Sequence, residues 1–276
     1  MASRPEPPRV ERGQVLTIGV VGGVVGGLIG GGSGVLFVPA LDRFTTLTRA
    51  QVHGTSTIAN VPVCAAGAAV YGLVGGSLDL RAGGGMMLGG ILGGVFGARL
   101  LARASERVLR SLLVAVLLLT AAKLYLDAAG LDPSQGAPVV PAHLLTDPWF
   151  VVPATVAAGL VIGAWAGAMG LGGGLLAVPT LVLLFGVDLH TAAGTALLVF
   201  VPNSLVGGLV HVRQGTASLR IGTLMGGAAA PGTVAGALLG LALDDVVLGV
   251  VFGTFALTMA VREIAHLRRT RVPDDR

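Results

Sequence analysis

The sequence predicts an all-α polytopic membrane protein built as two inverted repeats, each a glycine-broken, re-entrant segment followed by three transmembrane helices. Three observations carry this expectation: an apolar composition, an internal repeat, and the placement of arginine and lysine. Of 276 residues, 53% are hydrophobic and only 12% charged. A soluble domain carries roughly 25% charged residues to cover its surface. Mean hydropathy is +0.85. Long stretches poor in charge, such as Val108–Leu126 and Val246–Ala260, approach the ~20 residues that cross a bilayer core. Aromatic residues make up 4% of the chain and glycines number 45. Transmembrane helices that pack through small residues have this character, because close backbone approach supplies their dispersion contacts. Gly93/Gly97 and Gly232/Gly236 have the matching spacing.

The same numbers exclude other classes. Cys64 is the single cysteine, so no intramolecular disulfide or cysteine metal cluster forms, and no cofactor or metal is expected. A net charge of +4 would suit nucleic acid, but the arginines cluster at helix ends, where membrane topology accounts for them. The polar start with Arg4, Arg9 and Arg12 runs into the glycine motif without a convincing small-residue cleavage site, which argues against a signal peptide.

Shifting the chain by 140 residues superimposes its halves. Gly19, Gly23 and Gly27 fall on Gly159, Gly163 and Gly167. Gly30, Gly32, Gly34, Val38-Pro39 and Leu41 fall on Gly170, Gly172, Gly174, Val178-Pro179 and Leu181. Gly54-Thr55 meets Gly194-Thr195, and Val61-Pro62 meets Val201-Pro202. After one deletion, Leu80-Arg81 meets Leu219-Arg220. The elements follow in order: a cytoplasmic tail over 1–14, repeat 1 over 15–128, an extracytoplasmic linker over 129–148, repeat 2 over 149–267, and a basic cytoplasmic tail over 268–276. The linker is read from its proline, glycine and polar residues. Each half opens with a broken segment, 15–41 or 150–185. Helices then lie near 51–72, 82–101 and 107–126, and near 190–212, 220–242 and 245–266.

Charge placement sets the orientation. If each broken segment crossed once, the halves would be parallel and Arg43, Arg49, Arg99, Arg103, Arg107 and Arg110 would all lie outside, against the positive-inside tendency. If each segment enters and returns, the second half is inverted and only Arg81 and Lys123 stay outside. Both termini are then cytoplasmic. Val151–Met169 is long enough to span alone, so the crossing count stays open.

The broken segments are "GGLIGGGSGVLFVP" at 26–39 and "AGAMGLGGGLLAVP" at 166–179. Residues 15–29 make about 22 Å of helix, short of a core of about 30 Å. Exposed peptide groups at that depth cost several kcal/mol each unless protein, water or ligand satisfies them. Paired breaks in inverted halves are the best sequence pointer to a transporter's substrate site. A restarting helix presents unpaired N–H groups and a positive dipole end, so two that converge would hold an anion. The expected binding residues are Gly30, Gly31, Gly32, Ser33 and Gly34 with Gly170, Gly172, Gly173 and Gly174; the hydroxyls of Thr55, Ser56 and Thr195 add hydrogen bonds or bond within their own helices. Arg81 and Arg220, equivalent in the repeat, either draw anions to the two entrances or snorkel at the interface. No acidic residue stands convincingly mid-helix, which leaves His53 and His211 as the groups for any proton coupling.

"GxxxGxxGGGSGxxxVPxL" at 23–41 and "GxxxGAMGLGGGLLAVPTL" at 163–181, each followed by Gly-Thr, resemble the TauE/SafE family of sulfite exporters over nearly the whole chain. The resemblance implies a plasma-membrane permease for anionic sulfur compounds such as sulfite, sulfoacetate or thiosulfate, often an exporter, with substrate against both glycine breaks. Ser33 stands against Gly173 and Ser56 against Ala196, so the site is expected to be lopsided. The function expected is secondary transport of a small anion by alternating access, with a channel-like pathway as first rival. An intramembrane enzyme, resting on Cys64 with His53, is the second, and a structural scaffold the third. The partners expected are the anion and the lipid bilayer, with a homodimer permitted and nucleic acid excluded.

Overall fold

The computed structural model describes residues 12–31, 33–97, 105–131, 139–145, 147–169 and 174–269. Every regular element among them is helical: α1 (Arg12–Ile29), α2 (Gly34–Phe44), α3 (Arg49–Leu73), α4 (Leu80–Leu92), α5 (Glu106–Ala128), α6 (Ala142–Leu145), α7 (Pro148–Met169), α8 (Gly174–Phe185), α9 (Leu189–Arg213), α10 (Leu219–Ala242) and α11 (Asp245–Arg269). Seven described helices, α1, α3, α5, α7, α9, α10 and α11, are long and apolar enough to cross a membrane. Large apolar side chains that face outward, such as Leu88, Leu119 and Val161, are solvated by lipid tails in such a protein.

Local chemistry sets the helix starts. The Thr48 hydroxyl accepts from the Gln51 amide while the Gln51 side chain accepts from the Thr48 amide, closing a capping box ahead of α3. Asp79, Asp188 and Ser218 cap α4, α9 and α10 through their own side chains. The helix expected at 82–101 starts two residues earlier and widens into a π-helical turn at Gly93–Gly97. α1 starts at Arg12, so its 18 residues measure about 27 Å rather than the 22 Å expected from residues 15–29. Shortness alone therefore does not show that α1 stops inside a membrane. What shows a return is the hairpin it forms with α2. A Cβ on Gly26 would lie 2.9 Å from the Ser33 Cβ, and one on Gly22 would lie 2.2 Å from the Phe37 ring, so α2 runs back along α1.

Glycine faces hold the bundle together. α1 and α10 run parallel, with Gly19, Gly23 and Gly27 against the backbone of Met225, Ala229 and Thr233, and with Gly232 and Gly236 against Val20 and Val24. A methyl on any of these would come within 2.1–2.5 Å of a carbonyl oxygen. α7 and α4 meet the same way: Gly159 on Met86, Gly163 on Gly90, Gly89 on Val156 and Gly93 on Leu160. These are the contacts of the first pair, moved along the chain by the repeat offset and with the halves exchanged. α3 and α9, which match each other at that offset, run antiparallel: Ile58 meets Gly208, Asn60 meets Ser204 and Gly67 meets Leu197. That register sets Pro62 opposite its own counterpart, Pro202. The matched helices α5 and α11 are antiparallel as well, through Arg110–Glu263, Tyr125–Thr254 and the Leu124 contact with Gly249.

Two hydrogen bonds repeat the exchange. The Thr55 hydroxyl accepts the Ser218 amide at 2.9 Å, and the Thr195 hydroxyl accepts the Asp79 amide at 2.9 Å. Within the stretch read as a linker, the Val139 and Val140 amides donate to the Leu183 and Leu184 carbonyls at the end of α8.

Candidate functional site

The first break is a helix hairpin closed by glycine. Gly30 and Gly31 take φ of +81° and +109°, conformations that L side chains rarely adopt, and these turn the chain between α1 and α2. The Gly31 amide donates back to the Gly26 carbonyl at 2.7 Å, sealing the end of α1. Ser33 precedes α2 without capping it; its fully buried hydroxyl is turned instead to the Asn60 side chain. Of the first amides of α2, that of Leu36 donates to the Ser33 carbonyl at 3.0 Å, while those of Gly34 and Val35 have no partner among the described residues.

The other half of the molecule covers this turn. A Cβ on Gly30 would lie 2.6 Å from the Ala193 Cα on α9. One on Gly174, the first residue of α8, would lie 2.3 Å from the Gly31 carbonyl oxygen. The start of α8 thus touches the first break backbone to backbone. Gly32, Gly170, Gly172 and Gly173 lie outside the described residues. Of the expected site, Gly30, Gly31, Ser33, Gly34 and Gly174 come together.

The expected hydroxyls divide. Thr55 and Thr195 are fully buried, and each hydroxyl accepts an amide at the start of the opposite half's next helix; among the described residues neither bonds within its own helix. Ser56 is buried on α3. Arg81 and Arg220 are exposed at opposite ends of the antiparallel α3–α9 pair, beside Thr195 and Thr55 respectively, and no bond to a break residue is recorded for either among the described residues. His211 shares a hydrogen bond with Thr216 at 2.9 Å, and its Cβ lies against Gly54, next to His53. Both histidines therefore sit at one end of the bundle, seven residues (about 10 Å) along α3 from Asn60.

Sequence reasoning missed two parts of the site. The first is Asn60, 7% exposed, whose side chain meets Ser33 on one side and whose amide reaches the Ser204 hydroxyl at 3.5 Å on the other. An asparagine inside an apolar helix was the available signal, but its counterpart at the repeat offset is Phe200, so matching the halves passed over it. The second is a charged group on α11. The Arg262 guanidinium donates to the Val35 carbonyl at 3.2 Å, in the first turn of α2. Pro39 explains why this carbonyl is free: a proline has no N–H to return to the residue four places earlier. The adjacent Glu263, buried within a helix where no mid-helix acid was expected, is held by Arg110.

The family model for the sulfite exporter TauE/SafE matches residues 1–124 and 155–275. Over 79 residues the chain is 39% identical to the probable membrane transporter protein YdhB of Bacillus subtilis (strain 168), a match covering 29% of this chain and 32% of that protein. The chain thus spans about a third of the length of the curated relative it matches. No solved structure matches it. The family match reaches both glycine-broken segments and all seven apolar helices: the chain is a multi-pass membrane protein of the TauE/SafE sulfite exporter family of transporters.

Proposed function

We propose that this protein is a secondary transporter that moves a small anionic sulfur compound, such as sulfite, thiosulfate or an organosulfonate, across the plasma membrane by alternating access. The observation that carries the reading is the backbone contact between Gly31 and Gly174, which brings the start of α8 onto the break between α1 and α2. Such a junction gathers unpaired amides and the positive end of a helix at one point, and an oxyanion satisfies both.

The reading includes two inverted repeats, 15–128 and 149–267, with both termini cytoplasmic. It is supported by the antiparallel course of the matched helices α3 and α9, and by the exchange of glycine contacts between α1–α10 and α7–α4. Depth agrees as well. α2 runs 11 residues, about 16 Å, from the break to Arg43 near its end, and 16 Å is about half a bilayer core. The substrate then lies near the midplane, between bundles that rock to expose it to each side. An enzymatic role has no support in this geometry. Cys64 meets the Ser204 hydroxyl inside the bundle, while His53 lies about three turns away along α3.

The test is flux into proteoliposomes for sulfite, thiosulfate, sulfoacetate, sulfate and chloride, with and without a pH gradient. Saturable counterflow selective for the sulfur anions is the expected result. Non-saturating flux would make the protein a channel, and flux of none of them would end the proposal.

A further inference from the structure

We propose that Arg262 is the cation that faces the transported anion at the first break, and that its counterpart Lys123 is neutralised, so that the two entrances to the site differ in charge. The inference rests on the anion-transport reading above and adds to it a specificity-determining residue and a sidedness.

The argument begins at Pro39. The Val35 carbonyl that it frees is buried one residue into α2, and Arg262 reaches across from α11 to fill it. A guanidinium has five N–H donors in a fixed fork, and this contact uses one of them. Arg262 has no carboxylate partner among the described residues; the nearest in sequence, Glu263, points to Arg110. Arg262 is also exposed, and no hydrogen bond from its other donors is seen among the described residues. Cations on intramembrane helices face the bundle interior or a water-filled cavity and pair with other charges or with backbone carbonyls, as Arg262 does at Val35. A planar fork suits the paired oxygens of a sulfur oxyanion better than a point charge does.

The second half lacks this arrangement. At the repeat offset Val35 becomes Leu175, Pro39 becomes Pro179 and Arg262 becomes Lys123. Lys123 is paired with Asp127 at 2.8 Å, and the position matching Asp127 in the second half is His266. One entrance thus offers a net positive group and the other a closed ion pair. In the proposed topology the open cation is on the cytoplasmic side, the side from which an exporter loads.

The experiment is concentration-dependent transport of sulfite and methanesulfonate by the full chain in oriented proteoliposomes. R262Q is expected to raise the KM for both anions about tenfold or more with Vmax within about twofold, as loss of one charge-assisted hydrogen bond implies. R262K should recover part of that loss. A second arm uses Arg262→Cys in a Cys64→Ala background. A cationic methanethiosulfonate should restore the KM, an anionic one should not, and methanesulfonate should slow the labelling. An unchanged KM in R262Q while Ser33→Ala impairs flux, or labelling indifferent to charge and to substrate, overturns the inference alone. Absence of saturable flux in the unaltered protein would sink the transport reading beneath it.

Discussion

Gly31 and Gly174, 143 positions apart in the chain, touch through their backbones: a Cβ on Gly174 would lie 2.3 Å from the Gly31 carbonyl oxygen. The two residues fail differently when replaced. A Cβ on Gly31 would find its nearest neighbour 3.7 Å away, but the residue sits at φ +109°. Gly31→Ala therefore strains the backbone by about 1–3 kcal/mol and leaves the junction closed. Gly174→Ala keeps helical dihedrals but drives a methyl into the facing carbonyl and prises the junction apart. Flux should fall at least as far in Gly174→Ala as in Gly31→Ala, even where melting in detergent micelles shows it the more stable of the two. Normal flux in Gly174→Ala would mean that the contact is not part of the pathway.

Thr55 and Thr195 make one bond twice. Each hydroxyl accepts the amide that precedes a helix of the opposite half, at 2.9 Å. Replacing either by valine keeps the shape and strands a half-buried donor, at a cost of about 1 kcal/mol. The two single variants should lower the melting temperature by similar amounts, and the double variant should lose the sum, because the sites share no partner. Markedly unequal losses would argue against equivalence of the two halves.

What the sequence made legible follows from backbone physics, and what it hid follows from long-range placement. The first break was readable because consecutive glycines ahead of Val38-Pro39 admit the positive φ that other residues disfavour, as Gly30 and Gly31 show. The offset was readable because Gly19, Gly23, Gly159 and Gly163 must each admit a neighbouring backbone, so the same residue type recurs. The length of α1 was misjudged by three residues, because polar Arg12 and Gln14 give no apolar signal yet continue the helix. Asn60 and Arg262 were hidden for opposite reasons. Asn60 has no polar counterpart in the other half, and Arg262 lies near the end of the last expected helix, among C-terminal arginines that a topological reading already accounted for. Only the folded chain brings α11 to α2. For Thr55 and Thr195 the sequence left substrate bonding and own-helix bonding open; what it did not show is that each hydroxyl accepts an amide at the start of a helix in the opposite half.

Asn60 offers a charge test of the break. Asn60→Asp is nearly isosteric, retains an oxygen toward Ser33, and places a negative charge beside the turn when ionised. At about 5 Å, with an effective dielectric constant of about 20, repulsion of a bound monoanion is on the order of 3 kcal/mol, more than a hundredfold in affinity. Methanesulfonate, ionised throughout the accessible range, should be transported poorly by this variant at neutral pH. Its flux should recover as the pH falls and the new carboxyl is protonated, whereas Asn60→Ala should show a loss that does not recover. Equal pH profiles for Asn60→Asp and Asn60→Ala would place the anion elsewhere.

Arg110 and Glu263 join the last helices of the two halves by an ion pair whose side chains are 16% and 11% exposed. Burial makes this pair costly to break and cheap to replace. Removing one partner leaves a desolvated charge, and for buried pairs that loss is about 3–5 kcal/mol, with the lower end apt for side chains that keep some exposure. Replacing both by apolar residues of similar size removes the attraction and the desolvation penalty together. Glu263→Gln and Arg110→Met should each lower the melting temperature clearly, and the double variant Arg110→Met/Glu263→Met should recover most of the loss. Flux in the double variant should remain, because Arg262 and the Gly31–Gly174 junction are untouched. If instead the double variant is as unstable as the worse single one, the pair is not what ties α5 to α11, and the glycine contacts at Gly249 and Gly253 must hold the two helices together.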